Sequence, residues 1–269
     1  MDKIILLLLM WFYFVIKRTE FFLHMLQLEG YKEKKYIVRI RSSKKAYSNK
    51  LKGSLLLLTI ATVLYGVFVN IINDERQIIV VRIIYYFIWV ICFIITLTTK
   101  PEKPKKPLVY TNRAKRLFVG NGILNLVLSF AILLLYNLYF YFNLEYIPLV
   151  LYLHFILYYF QSHLLYASNL IIKPLEKRIN KYYYEKAQKK ILSMKSLQVV
   201  GITGSFGKTS TKFITSTILK QRYRVLTTPE SYNTPMGLSK VINEKLDEKH
   251  QIFVAEMGAR NIGDIRELA

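Results

Sequence analysis

Gly204, Gly207, Lys208 and Thr209 stand in the order G-x-x-G-K-T, directly after a short apolar run and directly before a helix-forming one. Residue types in that order can hold a phosphate chain. Successive backbone N–H groups of a glycine-containing turn wrap anionic oxygens, and the positive end of the following helix adds to the attraction. Glycine supplies the backbone angles and the close approach that such a turn needs. Lys208 would set its ammonium on the terminal phosphates, and the Thr209 hydroxyl would ligate magnesium. Thr203, Ser205 and Ser210 complete the loop and its flanks. The longer form G-x-x-x-x-G-K-[ST] is not met, because Ile202 occupies the place of its first glycine.

A second chemical group closes another apolar run. QIFVA at 251–255 leads straight into Glu256. One crossover beyond a phosphate loop, a carboxylate at a strand end is a hard oxygen ligand for a cation that bridges nucleotide oxygens. The plainer reading is an acid capping a helix before Gly258.

The elements that must position these groups follow from the patterning. Residues 197–202 read as a buried strand, and a helix runs from the loop to about 221. Residues 224–227 form a second strand, and a loop rich in Thr, Pro, Ser and Asn leads to a helix over about 236–246. The third strand is 251–255. Strand, helix, strand, helix, strand implies parallel pairing with right-handed crossovers, the start of an α/β P-loop domain with a parallel sheet over 196–269.

Three ordered blocks carry a resemblance: GITGSFGKTSTK at 201–212, TTPESYNTPMGL at 227–238 and EMGARNIGDI at 256–265. This segment resembles the ATP-binding central domain of the Mur ligases, which build the peptide stem of peptidoglycan. The EMGA…GDI variant is most similar to the branch that adds D-alanyl-D-alanine to a nucleotide-linked muramoyl tripeptide. The resemblance implies an ATP- and Mg2+-dependent carbon–nitrogen ligase. In that chemistry a substrate carboxylate is phosphorylated and an incoming amine displaces the phosphate to give an amide. It assigns phosphate binding to Gly204, Gly207, Lys208 and Thr209, and magnesium binding to Thr209 and Glu256. Lys208 and Glu256 are then the catalytic pair. It also brings Asn233 and Thr234 toward the metal and γ-phosphate, where a simple Pro/Asn turn is the alternative.

Three departures accompany the resemblance. Phe206 stands where the family commonly has Asn, which alters the loop edge but removes no backbone donor. A membrane region takes the place of the domain that holds the uridine nucleotide, so a lipid-linked cell-wall precursor joins the muramoyl peptide as a possible acyl substrate. The amine donor is an amino acid or dipeptide. Finally, the chain stops at Ala269 as the next helix begins, which implies a truncated or split piece that does not ligate by itself.

Charge and hydropathy organise the remainder. The chain of 269 residues has 39 Lys+Arg against 17 Asp+Glu, a formal charge of +22, yet 53% of it is hydrophobic. Residues 196–269 hold +3 of that charge and residues 1–195 hold +19. The basic excess therefore lies in the apolar part, which excludes a nucleic-acid-binding arm and fits a polytopic α-helical membrane protein. Residues 54–72, 78–97, 117–142 and 147–172 are apolar runs of about the length that crosses ~30 Å of hydrocarbon. Residues 4–16 form a shorter fifth, read as a retained anchor. Loops 17–53 and 98–116 carry 11 and 7 Lys/Arg, so they face the cytoplasm. The expected layout is a plasma-membrane region over 1–172 with about five crossings in contact with lipid, a charged connector over 173–195, and a cytoplasmic ATP-binding segment from 196.

Several features have plain readings. KPEKPKKP at 100–107 is a stiff juxtamembrane loop. Arg82, near a helix end, can snorkel, and Asn121 and Asn125 could line a polar path. The four histidines show no ligand spacing, and the lone Cys92 excludes an intrachain disulfide. Two other function classes remain open at this point: a transporter energised by its P-loop, and a membrane scaffold regulated by nucleotide.

Overall fold

The computed structural model describes residues 2–72, 74–97, 106–141, 143–229, 232–259, 263, 265 and 266. It divides into two units, Met1–Lys173 and Pro174–Ala269. Parts of three sequence features fall outside the described residues: 100–105 of the juxtamembrane loop, Glu230 and Ser231 of the second block, and Arg260, Asn261, Ile262 and Asp264 of the third.

Among the described residues of the first unit, the regular elements are all helices. Its elements are α1 (Asp2–Leu28), α2 (Glu33–Ser42), α3 (Asn49–Ile71), α4 (Glu75–Leu97), α5 (Asn112–Phe140), α6 (Ile147–Tyr159) and the start of α7 (Gln161–Ser193). Hydroxyl caps start two of the long helices: Ser48 accepts from the Leu51 N–H of α3, and Thr111 from the Ala114 N–H of α5. Among the described residues, α3, α4 and α5 are each long and apolar enough to cross a membrane. Much of their apolar surface faces outward, including Leu56, Val63, Phe87, Ile91, Phe130 and Leu138. Inside, Trp11, Trp89, Phe93 and Phe155 form an aromatic core. The Trp11 indole donates to the His154 carbonyl at 2.7 Å, and that of Trp89 to the Leu151 carbonyl at 2.9 Å.

Two elements differ from the expected spans. The run 147–172 is not one straight helix: it breaks at Phe160, and the flanking helices diverge by 65°. The cause is the polar triplet Gln161-Ser162-His163. Gln161 is buried and donates to the Thr19 hydroxyl at 2.8 Å, while the Ser162 hydroxyl bonds to that of Tyr47 at 2.7 Å. A straight helix would have to leave these polar groups unmatched. The first helix, in turn, does not end near 16 but continues to Leu28. Arg18 is tolerated within it because its guanidinium lies over the rings of Phe22 and Tyr158 and donates to the Ala46 carbonyl at 2.8 Å.

Asn121 ties three helices together, while Asn125 bonds within its own helix. Asn121 donates to Thr19 of α1 at 3.0 Å and accepts from Ser168 of α7 at 3.3 Å, and Asn125 donates to the Asn121 carbonyl at 2.8 Å. Cys92 is buried against α3, its thiol 3.7 Å from the Ser54 carbonyl. Arg82 donates to the Tyr65 hydroxyl at 3.3 Å.

The second unit contains the rest of α7, then β1 (Gln198–Ile202), α8 (Lys208–Leu219), β2 (Val225–Thr227), α9 (Pro235–Lys245) and β3 (Ile252–Glu256). The sheet is parallel, as the alternation of elements implies, with order β1-β3-β2. Ile202 pairs with Glu256 and Val225 with Ile252. The central strand β3 is buried along its whole length. Against it packs the i, i+3, i+4 stripe of α9, Leu238, Val241 and Ile242. Ala187 of α7 belongs to the same core, with Ile191 and Met194 packed on it. The segment read as a charged connector is thus one continuous helix with residues 161–172, and it buries part of its length in this unit.

Candidate functional site

The loop between β1 and α8 is shaped by its glycines. Gly207 caps α8 at φ 74°, in the left-handed region where a side chain would be strained, and Gly204 sits at φ 155°. A Cβ on Gly207 would meet nothing within 4 Å, so backbone conformation rather than crowding calls for glycine there. Gly207 brings no capping side chain to the first turn of α8, whose N–H groups lack intrahelical acceptors. These features fit a phosphate. Lys208 lies over the same loop, its ammonium donating to the Gly204 carbonyl at 2.5 Å and the Ser205 carbonyl at 3.3 Å. Phe206 is almost fully exposed at the loop's outer edge.

Glu256 closes β3 next to this loop. Its N–H donates to the Thr228 hydroxyl at 3.0 Å, which fixes the backbone just where the ladder ends. The carboxylate is buried. Oε2 accepts from the Thr209 hydroxyl at 3.1 Å and the Lys212 ammonium at 3.0 Å, and Oε1 accepts from the Asn233 amide at 3.3 Å. Burial alone would push this carboxyl's pKa up. Hydrogen bonds from Lys212, Thr209 and Asn233, with the Lys212 charge, outweigh burial and leave it below the ordinary value. The group is therefore an anion at neutral pH.

Residues from three segments thus converge, and Thr209, Asn233 and Glu256 are among those singled out from the sequence. The others are placed differently. Thr234 caps α9 by accepting from the Gly237 N–H at 3.2 Å, so its hydroxyl serves the helix. Thr203 and Ser210 are exposed on the loop's flanks.

Lys212 was not legible as part of this site. It is fully buried and forms an ion pair with Glu256. Its spacing held the signal: three residues after Thr209, it falls on the same face of α8.

The donor set suits magnesium. Among the described residues no group of three or more His, Cys, Asp or Glu stands together. A cation here would take the Glu256 carboxylate and the Thr209 hydroxyl and draw its other oxygens from phosphate and water, as Mg2+ prefers. Gly258 sets the remaining edge, its N–H donating to the Asn233 carbonyl at 2.9 Å. A Cβ at Gly258 would lie 2.9 Å from that oxygen and 3.1 Å from Asn233 Cγ. Gly258→Ala is therefore expected to push Asn233 off Glu256 and to weaken Mg2+-dependent nucleotide binding several-fold. Calorimetry with and without Mg2+ checks this, and an unchanged Mg2+ dependence would refute it.

Residues 202–269 match the Mur ligase middle domain family. Curated relatives agree. The UDP-N-acetylmuramoyl-tripeptide–D-alanyl-D-alanine ligase of Treponema pallidum is 37% identical over 70 residues, which is 26% of this chain and 15% of the relative. The proteins of the same name from Synechocystis sp. and Mycobacterium leprae are 36% identical over 74 residues and 37% identical over 73. Those matches cover 28% and 27% of this chain and 16% and 14% of the relatives. The chain thus spans only a small part of the relatives it matches. No solved structure matches it. Within residues 202–269, the chain is similar to the Mur ligase middle domain.

Proposed function

We propose that the protein is a membrane-anchored, ATP-dependent carbon–nitrogen ligase of peptidoglycan precursor synthesis, adding D-alanyl-D-alanine to a muramoyl peptide. The observation that carries this reading is the convergence of Thr209, Lys212 and Asn233 on the buried Glu256 carboxylate beside a glycine-shaped loop. Bound ATP with Mg2+ would supply a phosphoryl group that turns a substrate carboxylate into an acyl phosphate open to attack by an amine. The residues of this chain do the positioning. Gly204 and Gly207 let the loop backbone close on phosphate oxygens. Lys208 places a positive charge over the loop, where charge develops during transfer. Glu256 and Thr209 would hold the cation, with Lys212 and Asn233 keeping the carboxylate in one orientation.

The outward apolar faces of α3, α4 and α5 support the membrane part of the proposal, since a water-soluble protein rarely exposes so continuous an apolar surface. The basic residues of 17–53 and 98–116 support a cytoplasmic side for those loops and for the ATP-binding segment. Two measurements test the whole. ADP release by the full-length gene product is expected to require both a muramoyl peptide and D-alanyl-D-alanine, and release driven instead by a transported solute would overturn the ligase. In a Cys92→Ser background, Lys106→Cys is expected to resist an impermeant thiol reagent in intact cells and to label after permeabilisation. Ready labelling of intact cells would reverse the topology.

A further inference from the structure

The two crossovers of the second unit run in opposite directions across the sheet, from β1 out to β2 and from β2 back to β3. Right-handed connections therefore put α8 and α9 on opposite faces. The α9 face is closed by an apolar core to which, among the described residues, α8 contributes none. On the other face α8 is turned the opposite way from an ordinary amphipathic helix. Its buried side chains are Lys212 and Ser216, while Phe213, Ile214 and Ile218 are 46%, 62% and 66% exposed. A surface helix normally buries such a stripe. Phe206, on the loop that leads into α8, adds a further exposed ring.

The charge around this stripe is of one sign. Residues 186–229 hold nine Lys/Arg and no Asp or Glu. Lys220, Arg222 and Arg224 are exposed just past the end of α8, and the Tyr223 ring between them is also exposed. The exposed carboxylates Glu244, Asp247 and Glu248 belong to the end of α9 and the turn after it. Outward apolar side chains bordered by cations and a tyrosine are the features with which a helix lies in a lipid interface. We propose that the outward face of α8 seats on the surface of an anionic bilayer. Phe213, Ile214 and Ile218 would enter the acyl boundary while Lys220, Arg222 and Arg224 meet lipid phosphates. A second copy of the chain fits less well, because a two-fold contact sets the same cations against each other. Seating would hold the glycine loop, with Phe206 at its edge, at the lipid surface. The inference rests on the membrane reading proposed above, which keeps a bilayer at high effective concentration. It is independent of the ligase reading.

The test places the full chain, one copy per disc, in phosphatidylcholine nanodiscs with and without phosphatidylglycerol. In a Cys92→Ser background, Ile214→Cys or Ile218→Cys carries an environment-sensitive fluorophore, and a doxyl-labelled lipid serves as quencher. Blue-shifted emission and lipid quenching are expected at both positions in the phosphatidylglycerol discs. Glu244→Cys, on the other side of the sheet, is expected to show neither. Lys220→Gln/Arg222→Gln is expected to lower the ratio of seated to free protein about tenfold, since each cation near an anionic surface adds to its affinity. Phe213→Ser, read from a label at 218, is expected to lower it as well. No lipid quenching at 214 or 218, or equal quenching at 244, would overturn the seating. Equal quenching with and without phosphatidylglycerol would remove the anionic lipid from it. A blue shift without lipid quenching would mean that protein covers the face, and the proposal fails. Release of the chain from membranes by alkaline carbonate would instead overturn the membrane reading itself.

Discussion

Lys212→Met is expected to destabilise the second unit by about 3–5 kcal/mol, because it leaves the Glu256 carboxylate buried without its cation. Methionine fills a similar volume, so the loss reports charge more than packing. Hydrogen exchange of the β3 amides in the full chain measures it, since those amides exchange only when the sheet opens. The double variant Lys212→Met/Glu256→Gln separates the causes. A neutral amide needs no counter-charge, so the double variant is expected to recover much of the stability while losing Mg2+ binding. Destabilisation equal to the sum of the two single changes would show that the pair is not coupled.

The same pair gives a pH dependence. The folded-state pKa of Glu256 is lowered, so its contribution is complete above the unfolded carboxylate value of about 4.3 and is lost as pH falls through the folded value. Glu256→Gln is expected to lack that acid step.

Lys208→Ala is expected to have the largest effect on the proposed activity, lowering ATP turnover by roughly 10²–10³-fold or more. The ammonium donates to two carbonyls of the loop, so its removal takes away both the charge above the phosphates and a clamp on the loop. Protein stability and membrane integration are expected to be unchanged, because Lys208 lies outside the apolar cores. Single-turnover ADP formation by the full-length gene product checks this. Turnover near that of the parent protein would remove Lys208 from the phosphate site.

The parts of this site that were readable from sequence are those whose signal is local. Gly204, Gly207, Lys208 and Thr209 are neighbours in the chain, and their types state the loop's chemistry without knowledge of the fold. Glu256 was readable because an apolar strand ends beside it. The structure adds that it is itself the last strand residue, one position beyond the expected end. Lys212 was hidden because the group that explains it is distant in sequence and meets it only when β3 lies beside β1. Thr234 shows a contact that geometry adds: its hydroxyl caps its own helix by accepting from the Gly237 N–H. In the first unit, the break at Phe160 depends on Thr19 and Tyr47, which come from other helices. An apolar count over 147–172 averages that information away.

The strand order has a consequence for how the chain is made. Among the described strands, β1 and β2 have no ladder with each other; each bonds only to β3. The first strand is therefore synthesised about 50 residues before its partner exists. At ~5–20 residues per second that is a wait of some seconds with an unpaired apolar strand exposed. Among the described strands, the turn on β1 acquires its supporting ladder only after Glu256 has been synthesised.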